Sequence, residues 1–178
     1  MKRQKRFFAL FLTISLVTLS GAAMAMEEAP LPTLRITELM ASNGASLEDA
    51  FGRHPDWIEL HNEGTEPVSL EGVSLSDKKG KLEKYTFPAG AVVQPDEYII
   101  VFASGAKKDI ADEYHAPFKL SAKGEGVYLS KDGVVIDSVF FGPQERDVSL
   151  ALDEDGVYKQ TITPTPGAAN QITKAPNE

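Results

Sequence analysis

The chain has 178 residues, 18 of them basic and 26 acidic, with no cysteine and a formal charge of −8 at neutral pH. That balance, with no lysine- or arginine-rich face, argues against nucleic acid as a partner, because phosphate-backbone binding needs clustered positive charge. Without cysteine, packing alone must hold the fold, which a chain of this length can do.

Met1–Arg6 carries four positive charges, and an apolar run from Phe7 to Leu19 follows, broken only by Thr13, Ser15 and Thr18. Ala23-Met24-Ala25 closes it with small residues. Basic start, short apolar middle and small-x-small end predict a secretory signal peptide over residues 1–25, cleaved after Ala25. The apolar run falls short of the roughly 20 residues that span a bilayer, so no transmembrane span is expected after cleavage. The mature chain of 153 residues would then be exported to the periplasm, cell surface or medium with a charge of −12, since the leader holds four basic residues and no acidic ones.

Residues 26–33 are acidic and proline-bearing and read as a linker. Leu34–Met40 is expected to be the first strand, and Ser46–Phe51 a single helical turn capped by Ser46. Asp56-Trp57-Ile58-Glu59-Leu60-His61-Asn62 alternates, with Ile58 and Leu60 on one face and Trp57, Glu59 and His61 on the other, which predicts a half-buried strand. Trp57, the only tryptophan, is expected in a core. Further strands are expected at Val68–Leu70, Val73–Ser76, Leu82–Phe87 and Tyr98–Ala103, with Ile58 and Ile100 both facing the core. Lys107–Tyr114 reads as a loop or helical turn. Val127–Ser130 and Val134–Phe141 form the clearest hairpin, because Asp132-Gly133 supplies the positive φ angles of a tight turn. Val148–Leu152 and Val157–Thr161 complete the set, and residues 171–178 are a polar tail. Many short strands and no long amphipathic helix predict an all-β sandwich or barrel.

No residue pattern for catalysis stands out. His54, His61 and His115 do not match a zinc spacing, Gly-x-Ser-x-Gly is absent, and a thiol nucleophile is impossible. Gly124-Glu125-Gly126 is a turn and not a phosphate loop, and Asp153-Glu154-Asp155-Gly156 lacks most of the ligands of a calcium loop. One oxygen-rich constellation, Glu38, Asn43, Asp49, Asp56 and Glu59, offers the ligand type that calcium takes if the groups converge. The preferred alternative has Asn43 and Asp56 bonding turn amides, with Glu38 and Glu59 facing solvent or pairing with Arg35 or Arg53. No cofactor or metal is assigned.

Three blocks, Ile36–Asn43, Asp56–Asn62 and Thr163-Pro164-Thr165-Pro166-Gly167-Ala168-Ala169-Asn170, together resemble the lamin-tail domains exported by bacteria, over residues 34–170. Phe118–Ser121 and Asp132–Val139 fall where that family has similar blocks. Ser149-Leu150-Ala151-Leu152 departs from the family's Ser-x-Gly-Arg turn, having neither its glycine nor its arginine. The resemblance implies an immunoglobulin-like β-sandwich without catalytic residues of its own, of the kind that accompanies secreted nucleases, phosphoesterases or surface proteins. The expected function is that of a secreted, non-enzymatic binding module contacting a cell-envelope component or another exported protein. The alternative is an accessory subunit of a secreted hydrolase encoded elsewhere.

Overall fold

A computed structural model describes residues 33–174. The expected signal peptide, residues 26–32 of the expected linker and residues 175–178 of the tail lie outside the described residues. Within them there is no helix, and hence none long and apolar enough to cross a membrane.

The strands are Leu34–Met40 (β1), Asp56–Asn62 (β2), Val68–Ser69 (β3), Val73–Ser76 (β4), Tyr85–Thr86 (β5), Val92–Val93 (β6), Tyr98–Ala103 (β7), Tyr114–His115 (β8), Glu125–Lys131 (β9), Val134–Phe141 (β10), Ser149–Leu152 (β11) and Tyr158–Thr161 (β12). They form a six-stranded sheet in the order β12-β11-β1-β2-β7-β8, a four-stranded sheet β10-β9-β4-β5, and a small β3-β6 pair. Every pairing is antiparallel except β7 with β8. Side chains from the two large sheets share one core: Ile36, Leu39, Ile58, Leu60 and Val101 from the longer meet Val73, Leu75, Val127, Leu129 and Val139 from the shorter. This is the all-β sandwich that the strand pattern predicts.

Period two alone does not explain β1. Strict alternation would put Glu38 in phase with Leu34 and Ile36, carrying a carboxylate into the core, and would turn Leu39 away from it. A β-bulge between Ile36 and Glu38 corrects the phase, so that Ile36 pairs with Leu60, Leu39 with Ile58, and Glu38 with Glu59. The extra residue is Thr37, and its insertion keeps the apolar side chains inside while moving Glu38 to the outer face.

The outer face of β2 is not wet. Trp57 and Glu59 are both fully buried, so the tryptophan strand is covered on both sides and not half-buried as its alternation suggests. Trp57 does lie in a core, but in a second, smaller one with Met40 and Phe102, against which Leu47 and Ile100 pack. Ile100 is paired with Glu59 and belongs to this outer cluster, which corrects its expected place in the main core.

Three local expectations also change. Ser46–Phe51 makes no helix: Asn43 Oδ1 accepts the amides of Ser46 and Leu47, and only residues 50 and 51 form a turn. Side-chain capping of successive amides competes with helical bonding, and here it prevails. The Leu82–Phe87 strand shrinks to Tyr85–Thr86, and Val68–Leu70 to its first two residues, where the Ala91 amide opposite Leu70 turns to the Pro88 carbonyl. The Asp132-Gly133 hairpin forms as expected, with φ of +50° and +77° and Lys131 paired to Val134.

Candidate functional site

The five oxygen-bearing candidates separate into two sets. Glu38 and Glu59 sit opposite each other on β1 and β2, both with no exposed surface, which corrects their expected place in solvent or beside an arginine. Asn43, Asp49 and Asp56 organise the loop between those strands. Among the described residues, no three His, Asp or Glu side chains gather closely enough to hold a metal ion.

What covers the glutamates is the closing segment, Thr163–Asn170. The Thr165 amide donates to Glu38 Oε2 at 3.0 Å, and the Gly167 amide to Glu59 Oε2 at 2.7 Å. From below, Ser149 Oγ donates to Glu38 Oε1 at 2.5 Å and Thr37 Oγ1 to Glu59 Oε1 at 2.6 Å. Asn170 fastens the segment by giving its two amide hydrogens to the carbonyls of Thr37 and Leu152, at 2.9 and 3.0 Å. That fixes Asn170 Oδ1 as an acceptor, 3.2 Å from Thr165 Oγ1, which lies equally 3.2 Å from Glu38 Oε2. One hydroxyl hydrogen serves one acceptor at a time, so Thr165 Oγ1 can donate to only one of these two oxygens.

Burial pushes both carboxyls in the same direction. Removal from water, helped by the neighbouring Glu38 charge, raises the Glu59 carboxyl from 4.5 to about 7, against the bonds from Thr37 and Gly167. Burial likewise raises Glu38, although Ser149 and Thr165 pull it down. A carboxyl whose pKa is higher in the folded chain binds its proton more tightly there than in the unfolded chain. Its contribution to stability is whole below the ordinary glutamate value of 4.5 and is lost as pH climbs through about 7. Chemical denaturation should therefore show the fold weakening by about 2 to 3 kcal/mol between pH 5 and pH 9. Glu59→Gln, neutral and of the same shape, should flatten most of that slope; an unchanged slope would refute the assignment.

In the loop, Asn43 Nδ2 donates to the carbonyls of Leu47 and Pro55, while Asp56 Oδ1 accepts the Asn43 amide at 3.4 Å. These are the turn roles expected of Asn43 and Asp56. Asp49 Oδ1 accepts the amides of Phe51 and Arg53, each at 3.0 Å, and its Oδ2 pairs with the Arg53 guanidinium at 2.6 Å. Burial works against the Asp49 charge, yet Arg53 and the amides outweigh it and hold the carboxyl below its usual range. The Asp153–Gly156 loop is likewise a turn, with Asp153 Oδ1 accepting the amides of Asp155 and Val157.

A row with no signal in the sequence lies at β8. Ser104 Oγ is 3.0 Å from His115 Nδ1, and His115 Nε2 is 3.4 Å from Glu113 Oε2. Ser104 borders a cavity of about 350 Å³ with Arg53, His54, Asp56 and Lys119. Serine, histidine and carboxylate in line resemble a nucleophile, its base and an orienting acid. An acyl-transfer site also needs free donors beside the nucleophile for the developing oxyanion. Here the Gly105 amide is taken by the carbonyls of Ala116 and Phe118, and the Ala106 amide by Ser104 Oγ itself. The row fastens β8 and the loop after β7, and the residues that form it come together only through the parallel pairing of β7 and β8.

Fold and site together define an immunoglobulin-like β-sandwich whose polar clusters are tied into its own backbone. The chain belongs to the Lamin Tail Domain family, whose model matches residues 27–143. The match ends before β11, β12 and the closing segment. A comparison with curated proteins finds no match. The family is a non-catalytic, immunoglobulin-like module.

Proposed function

We propose that the chain is an exported, non-enzymatic interaction module that acts by surface contact with another exported protein or an envelope component. The observation that carries this is where the reactive side chains spend their hydrogen bonds. Glu38 and Glu59 are roofed by the chain's own closing segment, and the Gly105 and Ala106 amides that follow Ser104 are already bonded. A catalyst keeps such groups open to a substrate and aims fixed donors at the charge that develops in the transition state. A binding module needs only a stable scaffold and a surface patch. Family membership supports the same reading.

The test is an activity screen of the full chain purified from exporting cells, against ester, phosphodiester and peptide substrates. No turnover above that of the Ser104→Ala variant is expected. Turnover that disappears with Ser104→Ala would overturn the proposal. Export itself is checked by mass spectrometry of the same material, where Met26 should be the first residue.

A further inference from the structure

Between the loop after β1 and strand β8 the outer face of the long sheet opens into a cleft of about 320 Å³. Its apolar lining includes Leu47, Ile100 and Tyr114, and its acidic side chains are Glu48, Asp112 and Glu113; among the described residues no lysine or arginine lines it. Leu47 and Ile100 belong to the small core around Trp57, so the floor is continuous with packed structure. Tyr114 is braced edge-on against Phe87, with ring centroids 5.2 Å apart. The two walls are tied, because the Ala50 amide donates to Glu113 Oε2 at 2.9 Å. The cleft is thus preformed, which lowers the ordering cost of binding.

We propose that this cleft docks an exported partner protein through a segment in which an apolar side chain stands next to lysine or arginine. This rests on the interaction-module reading and names the surface it would use. Charge complementarity carries the choice. Acidic groups beside an apolar floor attract a cation whose neighbouring side chain can leave water, and the chain's net negative charge steers such a partner inward. A second copy brings the same negative charge and is repelled. Anionic lipid and polyanions are repelled as well, and a bare metal ion gains nothing from Leu47, Ile100 or Tyr114. Strand addition at β8 is not the mode of binding, because the His115 amide already donates to Asp109 Oδ1 at 2.8 Å. The partner lies on the face and not along the edge.

The experiment uses the full exported chain and a fluorescent peptide of alternating lysine and leucine as probe, followed by polarisation. Binding should weaken about five- to tenfold in Glu48→Gln/Asp112→Asn and by a similar factor in Leu47→Ser, and added salt should weaken the parent more than the double variant. Glu154→Gln, on the β11–β12 turn, should bind as the parent does. A lysine–serine peptide that binds as tightly, or a double variant that binds unchanged, would overturn the proposal. Photoreactive phenylalanine at Leu47 and, separately, at exposed Phe140 on β10 then separates the two levels of inference in exporting cells. Cross-links at Leu47 that the lysine–leucine peptide competes away support the cleft. Cross-links confined to Phe140 overturn the cleft and leave the module reading standing, whereas none at either position, with no peptide binding, overturns both.

Discussion

Truncation after Ile162 should lower the melting temperature by about 5 to 15 °C, which for a chain of this size corresponds to roughly 2 to 4 kcal/mol. Thr163–Asn170 is not a passive tail. It supplies amides to both buried glutamates, and Asn170 bonds two carbonyls of the sheet beneath it. The later residues return as well, since the Ile162 amide donates to the Thr173 carbonyl and Thr161 Oγ1 to that of Gln171. A segment that stays closed despite the entropy of ordering its backbone must gain more than it loses, and truncation forfeits that surplus. A second consequence distinguishes this loss from general damage. With the cover gone, water reaches Glu38 and Glu59, their proton affinity falls back toward the ordinary glutamate range, and the weakening of the fold at alkaline pH should vanish. Asn170→Ala should reproduce both effects at smaller size, by about 1 to 3 kcal/mol for the carbonyls it leaves unpaired. A truncated chain with an unaltered melting temperature and pH slope would show that the segment does not hold the pair.

Ile58→Asp should prevent folding altogether. Ile58 has no exposed surface and lies in the main core among aliphatic side chains. An unpaired carboxylate there costs several kcal/mol or is neutralised at comparable cost, against a total stability of about 5 to 15 kcal/mol. Ile100→Asp, at the half-buried edge of the smaller cluster, should cost less and leave a folded chain. Thr86→Asp is the matched control: Thr86 is exposed on the two-residue strand β5, and its hydroxyl hydrogen-bonds Ser74 Oγ at 2.9 Å. Its expected effect is about 1 kcal/mol or less. Circular dichroism and thermal melts of the three variants decide the order. A cooperatively melting Ile58→Asp chain would place the core elsewhere.

Features set by local chemistry were legible in the sequence, and those set by distant partners were not. Asp132-Gly133 announces its hairpin because few residue pairs adopt two successive positive φ angles, and the structure has both. The alternation of β2 correctly placed Ile58 and Leu60 inside, yet it said nothing of what covers the other face. That cover is tertiary, coming from Leu47 on one side and Gly167 on the other, the latter 108 residues from Glu59. For the same reason Glu38 and Glu59 looked like solvent-facing groups. One clue was present: Ile36 and Leu39 are both apolar at an odd spacing, which calls either for burial of both faces or for a bulge, and β1 has the bulge. The expected helical turn at Ser46–Phe51 failed because Asn43 and Asp49 each bond two amides of that loop, a competition that propensity does not weigh. The row from Ser104 through His115 to Glu113 and the acidic cleft beside it left no pattern in the chain, because both depend on how β8 lies along β7.

The most direct measurement is a carboxyl carbon-13 titration of the full chain from pH 3 to pH 10, with Glu38 and Glu59 assigned by Glu→Gln variants. Glu59 should titrate with a midpoint near 7, and Glu38 above the ordinary value of 4.5. If Glu38 and Glu59 both titrate at the ordinary glutamate value of 4.5, they are hydrated, the closing segment does not cover them, and the buried pair at the centre of this fold does not exist.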